Sequence, residues 1–172
     1  MKLKLILCPI DFSVSSNAAL GYASALAAET GATLFIVHVA EDTQAYLAGY
    51  GSFAFADNVS DSLEREMRKQ LDDTKPTREG VRVQRRYLSG TAVTQIVEFA
   101  DRENVDLIVM GTHGRTGLSR ILMGSIAEGV LRKASCPVLT VKSPLKSHER
   151  VEASEDSSQS PIRPAMSKFS QH

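Results

Sequence analysis

Short apolar runs alternate along this chain with segments whose apolar residues recur every three or four positions. The runs lie at 3–8, 33–39, 81–88, 106–110 and 137–141, and three of them are nearly continuous in Leu, Ile and Val. That composition fits strands covered on both faces. Four helices are predicted between them. The first is capped by Ser13 or Ser15, places Leu20, Ala23 and Ala27 on one face and ends at Gly31. The second opens at Asp61-x-x-Glu64, read as a capping box, and carries Leu63, Met67 and Leu71 at four-residue spacing. The third, about 91–104, gathers Val93, Ile96, Val97 and Ala100; the fourth, about 125–134, does the same with Ile126, Val130 and Leu131.

Strand–helix alternation of this kind predicts an α/β fold, a single open doubly wound five-stranded parallel sheet with helices on both faces and right-handed crossovers. Ligands of such sheets bind beyond the carboxyl ends of the strands, where the strand order reverses. Pro9-Ile10-Asp11 follows the first strand, Val39-Ala40 the second and the Gly111 loop the fourth, so these three loops are expected to share one crevice.

Two stretches depart from the rhythm. Residues 41–59 mix glycine, alanine and aromatics with no sustained period, and read either as a lid or partner-binding loop or as a crossover insertion whose aromatics cover the core edge. From Ser143 the composition turns to serine, proline and mixed charge, which predicts a folded domain over 1–142 and a disordered polar tail over 143–172.

Charge narrows the choice of partner. Twenty basic and twenty acidic side chains balance to zero over 172 residues, leaving no electrostatic footprint for nucleic acid or an anionic membrane. The opening MKLKLILCPIDFS has two lysines before an apolar run, but Pro9 and Asp11 cut that run short, so it reads as a first strand and not as a signal peptide. No segment has the length to span a bilayer, and a cytoplasmic protein is expected. Cys8 and Cys136 are expected to be buried, reduced thiols.

Chemistry concentrates in VDLIVMGTHGRTGLSRILMGS, residues 105–125, where an apolar strand stops at Gly111-x2-Gly114-x9-Gly124-Ser125 and a helix follows. Glycines let main chain approach a ligand, and a helix N-terminus offers unpaired N–H groups and positive partial charge, which suits phosphate. The loop is neither a G-x-x-x-x-G-K-[ST] P-loop nor a G-x-G-x-x-G dinucleotide turn, and glycine used for chain reversal alone is the competing reading. For catalysis the chain is thin: it lacks the H-x-G-H and S-G-G-x-D-S loops of nucleotidyl chemistry, and no Ser/His/Asp or Cys/His arrangement can be assembled.

The G-x2-G-x9-G-[ST] pattern resembles the nucleotide-binding motif of the universal stress protein family, and the likeness extends to ILCPIDFS, to LFIVHVAED and to residues 88–141. The resemblance implies a Rossmann-like fold of the adenine nucleotide α-hydrolase type. It also implies membership of the ATP-binding branch, whose glycine spacing this chain carries in full. Carried over, Pro9, Asp11 and Val39 would line adenine and ribose; Met110, Gly111, His113, Gly114 and Arg115 would surround ribose and phosphates; Gly124, Ser125 and Ile126 would close on the phosphates. For His113 and Arg115 the competing reading is a place on a solvated loop without ligand contact. Asp11 could bond the nucleotide, reach Mg2+ through water, or cap a turn beside Ser13. His38, inside an apolar strand, reads as a core or edge histidine. The resemblance further implies a homodimer through strand 137–141. Three functions follow as expectations: a stress-response protein using ATP, with Mg2+, as ligand or switch; a weak ATPase; or a nucleotide-free homodimeric scaffold for a protein partner.

Overall fold

The computed structural model describes residues 2–41, 53–112 and 123–142, with 53–60 described as backbone. Among the described residues five strands, β1 (Leu5–Pro9), β2 (Thr33–Ala40), β3 (Arg82–Ser89), β4 (Leu107–Gly111) and β5 (Val138–Val141), alternate with four helices, α1 (Val14–Thr30), α2 (Phe53–Asp73), α3 (Ala92–Arg102) and α4 (Ser125–Lys133). The strands form one parallel sheet in the order β3-β2-β1-β4-β5. Strand order reverses beside β1, and the crevice of a doubly wound sheet opens there, between the carboxyl ends of β1 and β4.

The continuous apolar runs are explained by two cores. On one face Ile6, Cys8, Leu34, Ile36 and Val109 pack against Leu20, Ala23 and Ala27 of α1 and Leu71 of α2. On the other, Leu7, Phe35, Val37, Ile108 and Met110 meet Ile96, Phe99 and Ala100 of α3 and Ala127 and Val130 of α4. Alternate residues of one strand serve opposite faces, so no position in β1 can be polar without cost. Phe35 and Phe99 lock the second core edge-to-face at 5.3 Å.

Local signals act as read for α1. Ser13 caps it, with the hydroxyl accepting from Ser16 N–H, and Gly31 ends it in the left-handed conformation at φ 72°. Three expectations need correction. First, α2 begins at Phe53, so Asp61 lies inside the helix, where its carbonyl accepts from Arg65 Nε, and part of the 41–59 stretch is helical. No glycine or proline interrupts 53–73, and a cap-like pair with no breaker before it starts nothing. Second, Leu63 and Leu131 are 54% and 48% exposed and Ile126 is also exposed. α2 packs on β2 and β3 and is seated through Leu71, and α4 packs on β5 and α3 and is seated through Ala127 and Val130, so part of each apolar stripe is left exposed. Third, Cys136 is half-buried, because it precedes an edge strand, while Cys8 is fully buried; both are free thiols.

Two contacts fix β1 and β4 relative to their surroundings. At the amino end the Asp106 carboxylate accepts from both Lys4 N–H (2.7 Å) and Leu5 N–H (2.9 Å). At the carboxyl end α1 crosses β4 so closely that a Cβ on Gly111 would lie 2.5 Å from Ser15 Oγ and 2.8 Å from the Ser15 carbonyl carbon. Among the described residues no helix is long and apolar enough to cross a membrane.

These contacts generate two predictions. The backbone donors of Leu5 and Lys4 hold the Asp106 carboxyl below its ordinary value of 3.8. A lowered native value means stabilisation present above the unfolded value and lost as pH falls through the native one. Asp106→Ala should therefore lower stability at pH 7 and flatten the acid limb, the two proteins converging as pH falls through the lowered native value in urea melts run across pH. Gly111→Ala should destabilise by about 1–3 kcal/mol in denaturant unfolding, since the obstacle is Ser15 main chain and cannot swing away.

Candidate functional site

The sheet brings the sequence-selected residues of the first two loops and the fourth strand to one end of the molecule. Pro9 is the last residue of β1, where its missing N–H interrupts no further ladder bond; Ile10 N–H then resumes pairing with the Val37 carbonyl at 2.8 Å. Asp11 follows, with Oδ1 accepting from Ser13 N–H at 3.1 Å and its own N–H donating to Ser16 Oγ at 3.4 Å. The turn and cap reading of Asp11 is thus realised in the structure, and it fixes where the carboxylate sits. Val39, half-buried, stands on β2 two residues beyond the level of Pro9 and packs against the second core.

Across the crevice, Met110 directs its side chain into the second core. Gly111 ends β4, and its lack of a side chain is taken up by Ser15 of α1, so this first glycine of the motif serves helix packing. Thr112, buried, donates its N–H to the Val141 carbonyl at 3.0 Å. His113, Gly114 and Arg115 lie outside the described residues. The chain is described again from Met123, and Gly124 N–H donates to the Thr112 carbonyl at 2.7 Å, which pins the start of α4 to the end of β4.

Gly124 is the N-cap of α4 and carries no side chain to cap it; Ser125 is the first helical residue and Ile126 the second. The four N-terminal amides of a helix have no intrahelical acceptor. Glu128 in this first turn is drawn back along the helix by Arg132, 2.8 Å away. The N-cap sits at φ −75°, ψ 155°, extended backbone that any residue adopts, so conformation does not call for glycine there. A helix N-terminus without a side-chain cap, held at the carboxyl end of a parallel sheet, can accept an anion by hydrogen bonding and by the helix dipole.

Behind the β1 loop sequence reasoning passed over Phe12 and Tyr87, while its reading of His38 as a core or edge histidine agrees with that residue's burial. Phe12 has φ 64°, which no local signal announces in a residue with a bulky side chain. His38 is 2% exposed, and its Nδ1 lies 2.8 Å from the Ile10 carbonyl oxygen. A polar ring amid LFIVHVA was the available signal for a buried partner. Tyr87 stands beyond it; burial first and then Glu64 raise its phenol, and Arg68 opposes them. The neighbouring Cys8 thiol is pushed up to about 12 by burial, which leaves it protonated and inert.

With this geometry in place, known proteins can be set beside the chain. The model of the universal stress protein family matches residues 2–142. Universal stress protein MJ0531 of Methanocaldococcus jannaschii is 40% identical over 146 residues, 83% of this chain and 84% of that one. Universal stress protein A homolog 1 of Coxiella burnetii is 38% identical over 82% of this chain and 97% of its own length. In three dimensions the chain is similar to MJ0577, a second universal stress protein of Methanocaldococcus jannaschii, with a TM-score of 0.72 and 31% identity over 84% of this chain and 99% of that one. Motif, topology and matched length agree: the chain belongs to the universal stress protein family.

Proposed function

We infer that this protein binds an adenine nucleotide, ATP with Mg2+, in the crevice between β1 and β4 and uses it as a ligand or switch in a cytoplasmic stress response. The observation that carries this reading is the Gly124–Thr112 bond, which seats an uncapped helix N-terminus at the reversal of strand order. Two further proteins with this fold support it by their own ligands. One universal stress protein was solved in complex with cAMP (24% identity, TM-score 0.55), and another, from Archaeoglobus fulgidus, in complex with dAMP (23%, TM-score 0.56).

The residues present fit such a ligand. The first-turn amides of α4 and the Ser125 hydroxyl would hold phosphate oxygens, and a glycine at the N-cap leaves room for them. Pro9, Asp11 and Val39 would face adenosine from the opposite wall, and Asp11 could reach the Mg2+ that travels with the phosphates through water. His113, Gly114 and Arg115 complete the phosphate side in this reading. When bound, the nucleotide supplies a charged group whose presence or loss the loops can register. The binding unit is residues 1–142, and the polar segment 143–172 lies outside it.

The same reading includes a homodimer. β5 is an edge strand, and its Leu139 is 38% exposed. A second copy pairing antiparallel along β5 would satisfy that edge and cover the leucine.

Calorimetric titration with Mg-ATP tests the nucleotide site. Ser125→Ala should weaken binding by about 1.5–3 kcal/mol, roughly tenfold to a hundredfold or more, if its hydroxyl meets a charged oxygen. Gly124→Val, which the backbone there tolerates, should abolish binding with the sheet intact by circular dichroism. Parent-like affinity in a folded Gly124→Val protein would return the loop to plain chain reversal and favour a nucleotide-free scaffold. For the dimer, light scattering should show twice the chain mass in the parent and a monomer for Leu139→Lys; a dimer unchanged by that substitution would place the interface elsewhere.

A further inference from the structure

Phe12 occupies the left-handed region at φ 64°, a conformation that a residue with a Cβ resists. Such a residue persists where its surroundings over-determine it, and these residues gather at functional sites. Here the turn is held from several sides. Ile10 N–H is bound to the Val37 carbonyl, Asp11 N–H reaches Ser16 Oγ, and Ser13 N–H is held by the Asp11 carboxylate. The remaining hold comes from the interior. His38 Nδ1 lies 2.8 Å from the Ile10 carbonyl oxygen, and because a carbonyl only accepts, Nδ1 carries the proton and donates. The same imidazole lies under the Phe12 ring, with centroids 4.7 Å apart and planes inclined by 33°. Tyr87 backs His38 at 5.7 Å, and the Arg68 guanidinium covers Tyr87 at 4.0 Å. An ordered stack therefore runs from the strained turn, through β2 and β3, to α2.

We propose that His38 is a positioning residue for the nucleotide site: by donating to the Ile10 carbonyl and supporting the Phe12 ring it holds the left-handed turn that sets Asp11 at the crevice. This rests on the reading of the crevice as an adenine-nucleotide site. His38 touches no ligand in it. Its effect on binding is carried by Asp11, and that separates it from a residue needed only for folding.

The test is a double-mutant cycle on the full chain, read by calorimetric titration with Mg-ATP and by thermal melts. His38→Leu fills the space without the donor and should weaken binding about tenfold while the protein still melts cooperatively. His38→Asn, whose amide nitrogen can stand near the Nδ1 position, should recover affinity to within about threefold of the parent. His38→Gln, whose amide reaches instead toward the Nε2 position, should not. In an Asp11→Ala background His38→Leu should cost almost nothing further, since the two act as one unit. Additive losses in the double variant, a folded His38→Leu protein that binds like the parent, or equal affinities for the Asn and Gln variants would each overturn the proposal. Absence of Mg-ATP binding by the parent would be a different failure, of the nucleotide reading itself, and the proposal would fall with it.

Discussion

The structure depends on a central strand that is paired along both edges and covered on both faces. β1 has β2 on one side and β4 on the other, and its residues alternate between the two cores. A strand so enclosed must meet its polar needs at its ends. Asp106 satisfies the Lys4 and Leu5 donors at the entrance. At the exit proline removes a donor, Val37 takes the Ile10 N–H, and His38 meets the Ile10 carbonyl. The position of the crevice follows from the same arrangement, because the chain winds away from β1 in two directions and leaves a gap above it.

The walls of that gap are made by opposite means. On the β1 side the backbone is bent into an unfavourable turn and clamped by side chains from α1 and β2. On the β4 side it is regular, and a residue without a side chain lets α1 press against it. One wall is set by hydrogen bonds and the other by close packing, and both converge on α1, which is capped by Ser13 in the first wall and presents Ser15 to the second. The first turn of α1 is thus the joint between them.

Much of this was legible in the residues. Strands covered on both faces announce themselves as unbroken apolar runs, and Ser13 and Gly31 bound α1 through side-chain and backbone chemistry that acts over a few residues. What was not legible depends on distant neighbours. Leu63 and Leu131 have the spacing of core residues, yet they are exposed, and periodicity carries no information about how much of an apolar stripe the rest of the fold covers. Asp61 has the chemistry of a cap and sits inside a helix, since only a breaker upstream would have made it a start. Within the site, the glycines stood out but their separate duties did not. Gly111 answers to Ser15, nearly a hundred positions away in the chain, whereas Gly124 has an ordinary backbone conformation. The strain at Phe12 is invisible to any local rule, and His38 was visible only as an oddity in an apolar strand.

The Gly124–Thr112 bond joins the start of α4 to the end of β4. The bond thus ties two residues that stand on either side of residues 113–123 in the sequence. Closing a loop costs entropy that grows only with the logarithm of its length, about 0.6 kcal/mol for each doubling. Extra chain between the two bonded residues would therefore add little to the cost of the bond that holds β4 and α4 together. The turn from Ile10 to Ser13 has no such latitude, since one added residue would separate the Asp11 carboxylate from the Ser13 amide and the Ile10 carbonyl from His38. One side of the crevice is closed by a bond between residues far apart in the chain, and the other by bonds within a single turn and to the strand behind it.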